Sequence, residues 1–185
     1  TAVQLLWVNL IMDSLAALAL ALEPPTDSLF DQPPHGRSEP LISRSMWISV
    51  MSVGAYMLAV LLVILLTGVL VDQDLPDRYR NTFLFNTFVW LQIFNELNSR
   101  SVRFYRSPFV GVFKSKSFLG VFGAIAIIQV IVVEFGGSVF STGDGLSGSD
   151  WLKSVAIGAT VLVVSAIVRA IGRTTELGKP HTVRG

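Results

Sequence analysis

The chain has 185 residues, of which 51% are hydrophobic and only 15% are charged, against roughly 25% charged residues in an ordinary soluble domain. Its mean hydropathy of +0.60 argues against both a soluble globular protein and a disordered one. The net charge of +1 is too small for a nucleic-acid-binding surface, and the 14 Lys and Arg residues are not gathered on one stripe. Because the chain has no Cys, disulfides, thiolate metal ligands and Cys nucleophiles are excluded.

Five apolar stretches are long enough to cross a bilayer, which takes about 20 residues of helix. They cover residues 3–22, 46–71, 81–98, 117–135 and 151–171. The third stretch is the weakest, because it carries Gln92, Asn95 and Glu96. Since the stretches are continuous apolar runs and not short alternating segments, a β-barrel is not expected. The sequence therefore predicts an all-α polytopic membrane bundle of five transmembrane helices over residues 1–172, followed by a short cytosolic tail over residues 173–185.

The distribution of basic residues predicts the orientation of the five spans. The first connection, the third connection and the C-terminal side carry two, five and four Lys or Arg residues, whereas the second and fourth connections together carry two. This bias places the C-terminus in the cytosol and, with five spans, places Thr1 near the outer or lumenal face. Because the chain begins with Thr and enters an apolar stretch at once, we expect it to be a piece of a longer polytopic membrane protein.

Several residues near the span ends fit a membrane interface. Trp47, Trp90 and Trp151 are placed as in the aromatic belts of membrane proteins, although Trp90 could equally be a packing residue. Lys153 and Arg169 lie near the two ends of the fifth span, where long basic side chains can extend to the interface.

Asp13 is the sharpest functional signal, because a carboxylate near the middle of a span costs about 2.5–3.5 kcal/mol on insertion scales. Asn9 lies four residues earlier, so both side chains are predicted to project from one helix face. A carboxylate and an amide oxygen suit a hard cation such as Ca²⁺. The alternative is that Asp13 pairs with a Lys or Arg on a neighbouring helix, and the spacing leaves both open. Residues 13–19 contain no Gly or Pro, so they give no sign of local unwinding.

The third span carries a second polar feature. Gln92, Asn95, Glu96 and Ser99 follow the spacing i, i+3, i+4 and i+7, which places them on one stripe of a helix. Such a stripe in lipid usually faces other helices and hydrogen-bonds to them, and we favour that interpretation here. Glu96 is near the cytosolic end and can reach water, and Glu134 lies at the opposite interface with no assigned role.

The motifs of soluble enzymes are absent from the sequence. There is no phosphate-binding G-x-x-x-x-G-K-[ST] loop, no H-E-x-x-H zinc motif, and no nucleophile elbow or recognisable catalytic triad. We therefore expect no catalytic residue and no cofactor-binding residue within this chain.

The run from Gln4 to Ala16, QLLWVNLIMDSLA, is followed by Glu23-Pro24-Pro25-Thr26. Together they resemble the sixth transmembrane helix of calcium-transporting P-type ATPases, most closely the plasma-membrane type. Weaker matches follow in order at residues 34–37, 40–42, 85–89, 92–98 and 132–137. The resemblance extends to about Arg173. It implies that the five spans are helices six to ten of a ten-helix pump, with the same orientation as the charge bias predicts.

The resemblance assigns roles to particular residues. Asn9 and Asp13 match the sixth-helix Ca²⁺ ligands. Two-site reticulum pumps carry a Thr hydroxyl one residue before the Asp, where this chain has Met12, and a Glu on the eighth helix, where it has Gln92. A thioether is a poor Ca²⁺ ligand and a neutral amide adds no charge. The resemblance thus implies the one-Ca²⁺ arrangement of the plasma-membrane type.

The resemblance also implies what lies outside this chain. The fourth helix, the phosphorylated Asp and the ATP-binding domain are missing, so we expect a fragment that is inactive alone. Ca²⁺ is the transported ion, and ATP and Mg²⁺ belong to the missing cytosolic domains. The expected partners are the lipid bilayer and the remaining helices and cytosolic domains of the same pump, with no nucleic acid. Residues 174–185 show no basic amphipathic calmodulin-binding helix.

Two other functions and several locations remain open. The parent could be a P-type pump for another cation, or a non-catalytic membrane scaffold subunit in which Asp13 pairs with a partner helix. The membrane could be the plasma membrane or an endomembrane such as the vacuole or the reticulum.

Overall fold

The computed structural model describes residues 2–21, 44–72, 74–100, 112, 115–142 and 145–174, and these residues form helices and turns with no β-strand. The first span consists of α1 (Ala2–Leu6), a π-helical segment (Trp7–Met12) and α2 (Asp13–Ala21). The other helices are α3 (Arg44–Thr67), α4 (Asp77–Ser99), α5 (Lys116–Phe135), the short α6 (Gly137–Phe140) and α7 (Gly148–Thr174). The prediction of an all-α helix bundle is confirmed.

Helix α4 lies at the centre of the bundle. Within the described residues, four helical stretches are long and apolar enough to cross a membrane: Ala2–Ala21, Met46–Thr67, Lys116–Phe135 and Gly148–Gly172. Helix α4 is long enough, at 23 residues, but too polar to count among them. It packs against α3, α5 and α7, and ten of its residues are buried. Because neighbouring helices cover α4, its surface does not need to be apolar.

The outer surface of the bundle has the opposite character. The exposed side chains of α3 include many large apolar residues, and Leu66 reaches 78% exposure. Such a surface is stable when it faces lipid and costly when it faces water. The chain is therefore an integral membrane protein in which the least apolar helix is the one most shielded from lipid.

Several helix boundaries differ from the predicted spans. Helices α4 and α7 begin before residues 81 and 151, because polar first turns precede their apolar parts. At the start of α7, the Asp150 N–H donates to Ser147 Oγ (3.3 Å) and Ser147 Oγ donates to Asp150 Oδ2 (2.9 Å), which caps the helix. Helix α3 ends at Thr67 and not at residue 71, because Gly68 adopts a left-handed φ of +60°.

Several predicted features lie outside the described residues. These are the first connection with its proline pairs, most of the third connection with its basic residues, and the tail over residues 175–185. Helix α7 continues to Thr174 and so includes the start of the tail predicted at residue 173.

Helices α4 and α7 run parallel, and interhelical hydrogen bonds hold their register. These bonds join Tyr79 Oη to Asp150 Oδ2 (2.7 Å), Thr87 Oγ1 to Ser154 Oγ (3.2 Å) and Arg169 Nη2 to Asn98 Oδ1 (3.1 Å). The partners are separated by 71, 67 and 71 positions, so the offset is nearly constant along both helices. Arg169, which we expected to extend to the interface, is buried within the bundle.

The two helices are in close backbone contact at Gly158. A Cβ atom at this position would lie 2.8 Å from the Cβ atom of Trp90 and 2.9 Å from its carbonyl carbon. Small residues allow this kind of close backbone contact between membrane helices. Trp90 also packs on Phe94, with 5.9 Å between the ring centroids. Trp90 is thus a packing residue, whereas Trp47 is 54% exposed, as an interfacial residue would be.

Glu134, which had no assigned role from the sequence, fixes the connection between α5 and α7. Its Oε1 atom accepts hydrogen bonds from Trp151 Nε1 (2.6 Å) and from the Leu146 N–H (3.4 Å). Lys153 Nζ donates to the Leu70 carbonyl near the start of the α3–α4 connection (2.9 Å). The N-terminal end of α7 is therefore tied to both neighbouring connections.

Substituting Gly158 tests the contact between α4 and α7. We expect Gly158→Ala to destabilise the protein by about 1–3 kcal/mol, because the added methyl group overlaps the Trp90 backbone. The measurement is the thermal unfolding temperature of the full-length protein in detergent. Gly123→Ala on α5 is the matched control, because a Cβ there meets nothing within 4 Å. Equal unfolding temperatures for the two variants would contradict the close approach.

Candidate functional site

The first span is interrupted by a π-helical segment directly before Asp13. The Asp13 N–H donates to the carbonyl of Val8, five residues earlier, whereas an α-helix bonds to the fourth. Trp7, Val8 and Met12 of this segment are buried in one apolar cluster with side chains of α4 and α5. The π-helical segment could not be predicted from the sequence, because it contains no Gly or Pro. Such π turns inside α-helices are frequent at functional sites.

Amide side chains anchor the π-helical segment to the rest of the bundle. Trp7 Nε1 donates to Gln129 Oε1 of α5 (3.2 Å), and Gln129 Nε2 donates to Asn86 Oδ1 of α4 (3.1 Å). Both Gln129 and Asn86 are buried. Hydrogen bonds of this kind link helices where no water competes. The chain of bonds fixes the turn that precedes Asp13, and sequence analysis missed both amides because only the fold brings them together.

A cavity of about 250 Å³ lies between α2 and α4. Its wall consists of Asp13, Ala16, Ala17 and Leu20 from α2 and of Gln92, Asn95, Glu96 and Ser99 from α4. Each set follows the i, i+3 or i+4, i+7 spacing of one helix face, and seven residues of helix extend about 10 Å. A mostly small and apolar stripe of α2 therefore faces the polar stripe of α4, with one carboxylate on each side.

The polar stripe of α4 faces another helix, as predicted, but its hydrogen bonding differs from the expectation. Ser99 Oγ donates to the Asn95 carbonyl of its own helix (3.1 Å). Glu96 is only 8% exposed, and its Oε1 atom has no hydrogen-bond partner among the residues that the structure describes. The stripe thus lines a cavity in addition to packing.

The structure separates the residues that the sequence singled out. Asp13 lines the cavity, and Asn9 on the π-helical segment is not among the lining residues; both side chains are exposed in the described part of the chain. Met12 is 1% exposed within the apolar cluster, and Gln92 lines the cavity. In the described ranges no ion pair joins Asp13 to a Lys or Arg. The same part of the chain contains no group of three or more His, Cys, Asp or Glu side chains that could hold a metal ion.

The cavity offers oxygen donors of mixed charge. Two carboxylates, two carboxamides and one hydroxyl line it, and hard cations such as Ca²⁺ and Mg²⁺ prefer oxygen ligands. Ionisable side chains inside a membrane bundle are rare, and they mark substrate or ion pathways in many membrane proteins. Apolar helices around such a cavity are typical of membrane proteins that move ions.

The comparison with known proteins agrees with this class. Residues 1–171 match the family described as cation transporting ATPase, C-terminus. Since the match covers almost the whole chain, the protein belongs to this family.

The chain is similar to calcium-transporting ATPases from distant organisms. It is 47% identical over 174 residues to calcium-transporting ATPase 1, plasma membrane-type, of rice (Oryza sativa subsp. japonica), covering 92% of this chain and 16% of the relative. It is 44% identical over 181 residues to calcium-transporting ATPase PAT1 of Dictyostelium discoideum (92% and 16%). It is 41% identical over 179 residues to human plasma membrane calcium-transporting ATPase 1 (92% and 15%). The resemblance to the plasma-membrane type is confirmed, and the chain spans only a small part of the length of these relatives.

The anchoring of the π-helical segment can be tested at Trp7. We expect Trp7→Phe to destabilise the full-length protein by about 1 kcal/mol, because Gln129 Oε1 loses its indole donor inside the bundle. Trp47→Phe, at an exposed Trp on α3, is the control and should leave the thermal unfolding temperature nearly unchanged. A Trp7→Phe protein as stable as the control would show that the hydrogen bond does not hold the segment.

Proposed function

We propose that this chain is the C-terminal membrane part of an ATP-driven pump that transports Ca²⁺ out of the cytosol. The observation that carries the proposal is the placement of Asp13, which lines a polar-walled cavity between two helices of a membrane protein. The names of the relatives support Ca²⁺ as the ion. Phosphorylation, ATP and Mg²⁺ belong to the cytosolic domains of the whole pump, so this chain supplies ion binding and helix packing.

Asp13 and Asn9 are the proposed Ca²⁺ ligands of this chain. Asp13 supplies charge and Asn9 a neutral carboxamide oxygen. Asn9 is exposed in the described bundle, so its amide is accessible to the helices of the pump that this chain does not contain. The π turn offers a backbone carbonyl oxygen as a further ligand. Where the hydrogen bonding changes from i→i+5 to i→i+4, one carbonyl is left without a helical N–H donor. Unwound or irregular backbone contributes ligands in this way in other membrane transporters.

The proposed pump binds one Ca²⁺ ion for each transport cycle. Met12 is packed in the apolar cluster away from the cavity, so it provides no oxygen beside Asp13. Gln92 lines the cavity but is neutral, so it does not offset the charge of a second dication. Both features support one site in place of two.

The proposed mechanism is alternating access. Phosphorylation of the cytosolic domain moves the helices, changes the geometry around Asp13 and Asn9, and releases Ca²⁺ to the far side. Helices α3, α5 and α7 surround α4 and act as a scaffold for the first span. The C-terminus lies in the cytosol, as the charge bias predicts. The plasma membrane is the favoured location because the relatives are of the plasma membrane type.

Neutralising Asp13 in the full-length pump tests the ligand assignment. We expect Asp13→Asn to raise the Ca²⁺ concentration needed for phosphorylation from ATP by more than about tenfold, because the dication loses a charged ligand. Asp74→Asn, at an exposed carboxylate in the α3–α4 turn, is the control and should retain the wild-type response. Wild-type Ca²⁺ affinity in Asp13→Asn would overturn the assignment. Dependence on a different ion would favour a pump for another cation, and the absence of any phosphorylation in the wild type would favour a scaffold subunit.

The single ion site predicts the transport stoichiometry. We expect one Ca²⁺ transported for each ATP hydrolysed, measured as radioactive Ca²⁺ uptake into sealed vesicles against phosphate release. A ratio of two would mean that Met12 and Gln92 had been misinterpreted.

A further inference from the structure

Glu96 is the second carboxylate of the cavity, and the proposed function gives it no role. It lies on the opposite wall from Asp13 and is buried to more than nine-tenths. Its Oε1 atom has no hydrogen-bond partner, and no ion pair joins it to a basic residue, within the ranges that the structure describes. A buried carboxylate without a partner is strongly unfavourable in a bundle. A structural role therefore does not account for this side chain.

Glu96 and Asp13 lie at different positions along the length of the cavity. Asp13 and Gln92 stand at the N-terminal ends of the two lining stripes, and Leu20 and Ser99 stand at the C-terminal ends. Glu96 lies one helical turn beyond Gln92, towards the end at which α2 and α4 terminate. In the proposed orientation this end faces the cytosol. An ion that moves along the polar wall from the cytosol thus meets Glu96 before it reaches Asp13.

The cavity also has the size and chemistry for a hydrated divalent cation. A water molecule occupies about 30 Å³ in the liquid, so about 250 Å³ accommodates an ion with part of its hydration shell. Carboxamide and hydroxyl oxygens beside a carboxylate replace that shell gradually. A carboxylate on the wall of a low-dielectric cavity also raises the local concentration of a cation.

We propose that Glu96 forms the entry step of the Ca²⁺ pathway, in which its carboxylate attracts the hydrated ion from the cytosol and passes it to Asp13. This inference rests on the proposed function and its orientation. In this proposal Glu96 attracts the ion as it enters the cavity. Asp13 binds the ion at the transport site.

The test is Glu96→Gln in the full-length pump, which removes the charge and retains the size of the side chain. We expect the Ca²⁺ concentration for half-maximal phosphorylation from ATP to rise about tenfold, with the level at saturating Ca²⁺ retained. Glu134→Gln is the matched control, because Glu134 accepts hydrogen bonds from Trp151 and Leu146 and does not line the cavity. It should leave the Ca²⁺ dependence unchanged.

A second variant separates a charge on the pathway from a structural effect. The double variant Glu96→Gln with Ser99→Asp returns a carboxylate to the same wall about one turn closer to the cytosol. We expect it to recover part of the lost Ca²⁺ affinity, because attraction of the ion depends on charge in the cavity and tolerates a shift along it. A merely structural defect at residue 96 would not be rescued in this way.

The outcomes distinguish this inference from the proposed function. Wild-type Ca²⁺ affinity in Glu96→Gln, together with a lost response in Asp13→Asn, would overturn the entry step and leave the pump assignment in place. A lower saturating level and lower thermal stability in Glu96→Gln, without rescue by Ser99→Asp, would show that Glu96 is structural and would also overturn it. Wild-type affinity in Asp13→Asn would instead contradict the proposed function itself.

Discussion

Hydrocarbon offers no hydrogen bonds, so a polar side chain inside the bundle is best placed beside a hydrogen-bonding partner or a cavity, and helix α4 provides examples of both. Asn86, Thr87 and Asn98 bond to neighbouring helices. Glu96 and the residues of its stripe line the cavity beside the first span. One helix therefore holds the bundle together on some faces and forms the wall of a polar path on another, which is why it must be central and cannot be uniformly apolar.

The contacts around α4 are not equal on all sides. Towards α7 it has three hydrogen bonds at a constant register and the tight contact at Gly158. Towards the first span it has apolar packing around Trp7 and Met12, and a cavity beside Asp13. Apolar packing and cavities tolerate small displacements better than directional hydrogen bonds and close backbone contacts do. The α4–α7 pair is thus suited to be the fixed reference against which the first span moves in the proposed cycle.

Hydropathy was sufficient to predict the helical class and the four apolar spans of the described residues, because lipid-facing helices must be apolar wherever neighbours do not cover them. It could not predict that the weakest span is the central one, since burial by neighbours depends on tertiary packing. Asp13 could be singled out because a carboxylate at mid-span is costly in any fold. Glu96 could not, because its spacing placed it on a stripe but did not say whether that stripe meets a hydrogen-bonding partner or a cavity.

The π-helical segment shows where reasoning from helical spacing stops. Periodicity assumes 3.6 residues per turn, and one inserted residue rotates the following helix by about 100° relative to the preceding one. The prediction that Asn9 and Asp13 share a face relied on an uninterrupted α-helix, yet the segment Trp7–Met12 includes Asn9 and ends directly before Asp13. The π turn changes the rotation of α2 relative to α1, and α2 presents Asp13 to the cavity beside α4. The buried Trp7 and its amide partners hold this segment against α4 and α5, so residues outside the cavity also contribute to the geometry at Asp13.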